Sequence, residues 1–567
     1  IVRRQPPAGQ TPEWPGDIHP VLARVLHHRG ITDADELDLS LKTLLPPDAL
    51  KGMAAATDLL LQARAQNWRV CIIGDYDADG ATATALAMLG LPALGIGTVE
   101  YLVPDRFKYG YGLSPAIAEL VIQQKPDLVI TVDNGISSIA GVAAVKAAGI
   151  AVLITDHHLP AEKLPEADAI VNPNQPGFQS KALAGVGVMF YLLCGLRAVL
   201  REQGESDLPR LADWLDLVAL GTVADVVPLD HNNRVLVDNG LKRIRAGQCR
   251  PGITALLQLA NRNEQRIVAS DLGFAVGPRL NAAGRLDDMR IGIECLLAED
   301  MTSARSKAVL LDDFNRQRRA LQDQMQDEAV CSIDEQLDGL EGELPAGLCL
   351  FDESWHQGVV GLVASRVKED WHRPTFAFAP ADEGSTELKG SGRSIPGLHL
   401  RDALDAIAAR HPGLISKFGG HAMAAGLSLD RAAYEDFNQA FAEEAKRQLT
   451  EDDLRQVSHS DGELAADDLN LELAEVLRQA TPWGQNCPEP MFDGVFEVVS
   501  ERLVGEKHLK LKLRPKDAQF SMDAIAFNKA EAGVPGAHVQ VLYRLDVNEF
   551  RSMRTAQLIV EHWQAAT

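Results

Sequence analysis

The sequence predicts an α/β protein of several domains: a parallel-sheet domain, a long connecting helix, a second α/β domain and a C-terminal five-stranded barrel of the OB type. Three observations carry this. Between Val70 and Asp225, apolar runs of strand length alternate with helical stretches, the rhythm of a parallel sheet covered on both faces. A long, highly charged helical stretch follows from Thr302. Last come five short β-type runs, whose count and length fit an OB barrel, though five strands fit other small β folds too.

The 567 residues suffice for about three or four domains. With 46% hydrophobic and 24% charged residues the chain buries large cores without staples. Seven scattered cysteines with no CxxC pair point to a reducing cytoplasm and away from disulfides or structural zinc. The opening "IVRRQPPAGQTPEWPG" lacks the apolar core of a signal peptide. The longest apolar run, "ALAGVGVMFYLLCGL" (182–196), is too short to span a bilayer and reads as a buried helix. A net charge of -24 counts against nucleic-acid binding over the whole surface, but local patches decide that question.

In chain order, the strands of the first sheet are "VCIIG" (70–74), "VEYLV" (99–103), "LVITV" (128–132) and "AVLIT" (151–155). Helices such as "ATATALAML" and "ISSIAGVAAVKAAG" lie between them. The long helix shows an apolar stripe of Leu310, Phe314, Leu321 and Met325. After it come strands "GLCLF" and "TFAFA", then glycine-rich turns "KGSGRS" and "FGGHAMAAG". An acidic helical link, "LTEDDLRQ", leads to the barrel strands "DGVFEVVSERL", "KHLKLKLRP", "SMDAIAF", "VQVLYRLDVNEF" and "AQLIVEHW". The expected divisions are 1–50, 51–297, 298–335, 336–449 and 450–567.

The acids sit where a parallel sheet binds ligands. "VCIIG" leads into Asp75, "LVITV" into Asp133, and "AVLIT" into Asp156-His157-His158. Each cluster follows the carboxyl end of a strand, so all converge on one crevice. "DYDADG" places Asp75, Asp77 and Asp79 on alternate positions before Gly80, like a calcium loop, but Leu86 stands where that loop needs a bidentate Glu. Carboxylates this close repel one another unless a cation or protons neutralise them. Asp225, in the apolar "LVALGTVADVVPL", is costly unless paired or metal-bound. Singly, Asp75 could cap a helix and Asp133 could be a turn residue; three acidic strand ends, one with tandem histidines, are much harder to explain in that way. The set is rich in oxygen with one or two imidazoles, which suits manganese or magnesium. It offers more carboxylates than one ion needs, which suggests two ions placed for displacement at phosphorus.

Candidate nucleic-acid contacts lie elsewhere. "DRFKYGYG" interleaves Arg106 and Lys108 with Phe107, Tyr109 and Tyr111, so that cations could track phosphates while rings stack bases. "GPRLNAAGR" sets Arg279, Asn281 and Arg285 among small residues. "GSGRS" puts Ser391 and Arg393 on a turn able to face an anion, and "GGHAMAAG" sets His421 beside glycines. In "KHLKLKLRPK", alternation puts Lys510, Lys512 and Arg514 on one face of a strand. The bland alternative there is an edge strand protected by lysines.

"DHH" (156–158) with "DYDADG" (75–80) and "VDNG" (132–135) resembles the DHH phosphoesterase superfamily. "LVPDRFKYGYGLS", "TDHHLP", "LVALGTVADVVPL", "GPRLNAAGRLDD", "KGSGRS" and "FGGHAMAAG", in that order, resemble its RecJ family of bacterial single-strand exonucleases. The likeness runs over nearly the whole chain from about Leu50, barrel included. It implies a DHH domain and a DHH-associated domain flanking a groove. It also implies 5′→3′ hydrolysis of single-stranded DNA to mononucleotides with manganese or magnesium, in recombination and repair. By matching motif, Asp77, Asp79, Asp133, His157 and Asp225 would hold the metals, and Asp75 and Asp156 would orient them or ligate in part. His158 would contact the scissile phosphate and assist proton transfer. Arg279, Asn281, Arg285, Ser391, Arg393 and His421 would line the groove, with Arg393, Ser391 and Arg106 holding a terminal 5′-phosphate. A single-strand DNA-binding protein and a DNA helicase are the implied partners. Two alternatives stand beside this: a superfamily phosphodiesterase acting on short oligonucleotides or other small phosphates, which needs no terminal barrel, and a non-catalytic DNA-binding scaffold, which the retained acids oppose.

Overall fold

The computed structural model describes all residues except 8–11, 105–108, 110–111, 340–343, 383, 506, 517, 531–532, 551–552 and 567, and only the backbone of 332–339 and 550. The chain divides into two compact units. The first comprises 1–284, 288–312 and 458–567; the second comprises 285–287 and 313–457.

In the first unit, strands β1 (Arg69–Ile73), β2 (Thr98–Leu102), β3 (Leu128–Val132), β4 (Ala151–Thr155) and β5 (Ala169–Val171) form one sheet. Its order is β2-β1-β3-β4-β5 and every pairing is parallel. Four strands stand within a residue of their expected positions; β5, only three residues long, gives too short a periodicity to read. β3 is buried at every position because both faces of the sheet are covered.

Three helices bring further site residues to this sheet: α1 (Ala78–Ala93), α2 (Gly185–Glu202) and α3 (Leu215–Ala224). They cross closely. A Cβ at Gly90 of α1 would lie 2.4 Å from Leu193 of α2, and one at Gly221 of α3 would lie 2.2 Å from the Thr82 hydroxyl of α1. The apolar run 182–196 is thus the buried helix α2, as its composition predicts. Among the described residues, no helix is long and apolar enough to cross a membrane.

The C-terminal strands Phe492–Val504, His508–Pro515, Met522–Ala526, His538–Phe550 and Met553–Ala565 close into a barrel within the same unit. The stretch leading into the barrel is tied to the N-terminal segment. Asp461, fully buried, receives a bidentate pair from Arg29 at 2.5 and 2.8 Å.

The second unit holds a five-stranded mixed sheet that includes Leu348–Phe351, Thr375–Pro380 and Glu387–Arg393. Two expectations change here. "KGSGRS" and "FGGHAMAAG" are not simple turns; they supply Glu387–Arg393 and the hairpin Lys417–Gly420/Ala424–Asp430. A Cβ at Gly390 would lie 2.3 Å from the Phe378 ring, and one at Gly392 would lie 2.4 Å from Phe376. These glycines make room for rings on the neighbouring strand rather than for a bend.

The long helix runs Met301–Gly339. Its buried line is Ala304, Ala308, Leu311 and Met325, while Leu310 is exposed, so the expected stripe is off by one position there. "LTEDDLRQ" forms turns instead of a helix: Thr450 and Asp453 bond reciprocally as in a capping box, but the helical turn they start does not continue.

Candidate metal centre

The carboxyl edge of the parallel sheet gathers eight titratable side chains. β1 delivers the loop Asp75–Asp77. Asp77 caps α1 by accepting from the Gly80 amide at 2.9 Å, and Asp79 follows in the first helical turn. Asp133 leaves β3 with a positive φ of 62°, in a loop that the neighbouring Asn134 fixes. The Asn134 amide donates to the carbonyls of Ile73 and Val132 at 3.0 and 2.9 Å and ties together the ends of β1 and β3. β4 delivers Asp156, His157 and His158. Asp225 is the C-cap of α3.

These atoms meet. His157 Nε2 lies 3.1 Å from Asp133 Oδ1, 3.5 Å from Asp225 Oδ2 and 4.0 Å from Asp79 Oδ2. Three groups of three each bring their ligand atoms within 4.8 Å of one another: Asp133, His157, His158; Asp79, His157, Asp225; and Asp75, Asp77, Asp133. Asp133 and His157 each belong to two groups. Asp156 belongs to none. Its oxygens accept from the Ile136, His157 and His158 amides at 2.8, 2.7 and 3.0 Å and from His158 Nδ1 at 2.7 Å. It orients its neighbours.

The electrostatics fit a dication. Burial, then repulsion by Asp77, pushes Asp79 up to about 7. Burial and the facing carboxylates hold Asp133 and Asp225 well above the usual range. Carboxylates crowded in this way are unstable as anions until a positive charge joins them. Burial and the nearby His158 bring His157 down to about 4, which keeps it in the neutral form that ligates metals. Burial also opposes a charge on His158, but its bond to Asp156 outweighs that and raises its pKa. Burial would raise Asp156, yet the bonds from His158 and the amides win and lower it. The donor set of carboxylates with imidazole therefore suits manganese or magnesium.

Some contributors are backbone groups. The Gly185 and Val186 amides at the start of α2 donate to Asp79 at 2.6 and 2.9 Å. A Cβ at Gly185 would lie 2.5 Å from that of Asp133. The "AGVG" preceding an apolar helix was the available signal, and it reads equally well as ordinary core.

The expected nucleic-acid residues divide. Arg106, Lys108 and Tyr111 lie outside the described residues, and Tyr109 packs on the apolar core against one face of the sheet. Arg279, expected on the groove, is instead buried and ion-paired to Asp312 at 2.8 Å. Asn281 Oδ1 accepts from the Ala78 amide at 2.7 Å and so props the aspartate loop. In the second unit, Arg285 donates to the Gly358 carbonyl at 3.2 Å. Arg393 donates to Ser391 Oγ and the Gly392 carbonyl at 3.1 and 2.8 Å, and burial lowers its pKa. The hairpin tip that carries exposed His421 joins the same strand end, where Ala424 pairs with Arg393. On the barrel, Lys510 pairs with Asp523 and Arg514 with Glu497, while Lys512 is exposed.

Models of three families match the chain: the DHH family N-terminal domain over 69–222, the DHHA1 domain over 345–449 and the RecJ OB domain over 460–562. The single-stranded-DNA-specific exonuclease RecJ of Dickeya dadantii is 53% identical, covering 99% of this chain and 98% of that one. RecJ of Escherichia coli K12 is 49% identical, covering 99% of each. The crystal structure of Thermus thermophilus RecJ with Mn2+ superposes with a TM-score of 0.81 at 30% identity, over 97% of this chain and 76% of that one. With its carboxylates gathered at the sheet edge and a barrel of matching type, the chain belongs to the RecJ family of DHH phosphoesterases.

Proposed function

We propose that this chain is a manganese- or magnesium-dependent exonuclease that hydrolyses single-stranded DNA from the 5′ end to mononucleotides, in recombination and repair. One observation carries the chemistry: Asp133 belongs to two of three overlapping ligand groups, as a carboxylate shared between adjacent ions would, while His157 Nε2, with its single lone pair, would serve one ion. Asp77, Asp79, Asp133, His157 and Asp225 would hold the ions, with Asp75 within reach. Bound there, the ions supply Lewis-acid charge to the phosphoryl oxygens and make water more acidic.

The chain's own residues do the rest. Asp156 engages His158 Nδ1 and fixes the ring, so that Nε2 would be the nitrogen that contacts the scissile phosphate. The raised pKa of His158 lets it hold and deliver a proton to an oxygen there. In the second unit, Ser391 and Arg393 make an anion subsite suited to a terminal 5′-phosphate. Arg393 is half-buried with no carboxylate paired to it among the described residues. A Cβ at Gly361 would lie 2.8 Å from Ser391 Oγ and 3.0 Å from Arg393 Nη2, so glycine keeps that side open. His421 is placed to join this subsite and Lys512 to touch DNA from the barrel. A single-strand DNA-binding protein and a helicase are the proposed partners, since the reaction needs exposed strand, and seven unpaired cysteines favour the cytoplasm.

The test digests strands labelled at either end with manganese, magnesium or chelator. Mononucleotides released first from the 5′ end, only with metal and only from single strands, are expected. Release from the 3′ end, or activity in chelator, overturns the reading.

A further inference from the structure

One large apolar side chain stands out of place. Phe274 is 77% exposed, more than any other large hydrophobic residue among those described. It lies in a π-helical turn, Leu272–Val276, that opens the helix Gly277–Leu286. Such turns are rare and concentrate at functional sites.

The helix runs along the metal-holding loops, and its contacts fix where Phe274 sits. A Cβ at Gly284 would lie 1.8 Å from the Tyr76 carbonyl, and Asn281 accepts from the Ala78 amide; these two contacts flank Asp77. A Cβ at Gly277 would lie 3.1 Å from that of Ala224, and one at Gly273 would lie 3.2 Å from Val223 Cγ1; both neighbours directly precede Asp225. The spacing 277, 281, 284 is one helical face, and 273–274 continue it beyond the Asp225 end. The residue after Asp225 is a second exposed apolar one. Val226 is 63% exposed with a φ of 60°, a strained conformation for a β-branched residue.

We propose that Phe274, with Val226 beside it, is a nucleobase-binding step at the rim of the metal centre, on which a base of the single strand stacks. The proposal rests on the exonuclease reading. Every base offers a π-face, so an exposed ring holds a strand without reading its sequence. A strand whose phosphates approach the cluster needs its bases turned aside, and an aromatic ring at that rim gives one of them a place. An apolar ring kept in water next to buried carboxylates has no role in the core, and Leu272, Ala275 and Val276 of the same turn already supply the packing.

The test compares a 5′-phosphorylated oligothymidylate with the same backbone carrying abasic residues. Wild type, Phe274→Ala, Phe274→Tyr and Phe274→Leu are measured in two ways: binding by fluorescence anisotropy in chelator, and kcat/KM with manganese. Wild type should prefer the base-bearing strand on the order of tenfold in binding, the scale of one stacked base. Phe274→Ala and Phe274→Leu should lose that preference while Phe274→Tyr keeps it, with calorimetric manganese binding unchanged in all. Absence of the preference in wild type, an equal loss on both strands, retention by Phe274→Leu, or loss of manganese binding by Phe274→Ala each overturns the proposal. Failure of wild type to hydrolyse either strand would instead sink the exonuclease reading, and the binding ratio would still judge Phe274.

Discussion

The carboxylate cluster of the first unit and the Ser391/Arg393 corner of the second are opposites in charge and alike in kind. One buries several acids that raise one another's pKa. The other half-buries a guanidinium bonded only to neutral oxygens among the described partners. In each, charge is taken out of water without its counter-charge, a cost a fold bears where a ligand completes the balance. Arg279, Lys510 and Arg514 show the contrast. Each was an attractive candidate by sequence, and each is matched to an acid within the fold. Uncompensated charge separates the cations and anions we propose to be functional from those matched within the fold.

The sharpest break of that contrast is Asp133→Ala. Removing the residue common to two ligand groups should lower hydrolysis with saturating manganese on the order of a thousandfold or more, since several kcal/mol of charge stabilisation go with it. Binding of single-stranded DNA should remain measurable. A folded variant with substantial turnover contradicts the shared role.

Arg279→Ala probes the compensated class. It removes the ion-pair partner of buried Asp312 and should cost about 3–5 kcal/mol of stability by denaturant unfolding. The variant, where folded, should bind DNA with an unchanged salt slope; a shallower slope would return Arg279 to the DNA surface.

Arg393→Ala should act on end choice. Loss of one charge-assisted bond, about 1.5–3 kcal/mol, lowers the preference for 5′-phosphorylated over 5′-hydroxyl strands roughly ten- to a hundredfold. Initial rates on the two strand types decide it, and an equal loss on both assigns Arg393 to general backbone binding. The smallest effect belongs to Lys512→Ala, which should reduce the slope of log affinity against log salt by about one. An unchanged slope removes the barrel face from the DNA path.

How far the sequence reveals these regions follows from where the partners lie. The acids at the ends of "VCIIG", "LVITV" and "AVLIT" were legible because a buried parallel strand is a continuous apolar run and its carboxyl end is a fixed place for ligands. The amides of Gly185 and Val186 were not, since every residue carries a backbone N–H and only the fold aims it. The pairing of Arg279 with Asp312 and of Lys510 with Asp523 was not legible, because the acids come from distant or cross-strand positions that no local pattern reveals. Gly390 and Gly392 misled because the rings that require them belong to another strand. Phe274 gave no signal, as a π-turn has no periodicity to read.

Manganese stoichiometry tests the central claim most directly. Metal-stripped protein is titrated by calorimetry, wild type against Asp133→Asn. If the buried acids form a two-ion site with Asp133 shared, wild type takes up two ions per chain and Asp133→Asn loses binding at both. A single ion in wild type, or two ions retained at wild-type affinity by Asp133→Asn, would contradict it.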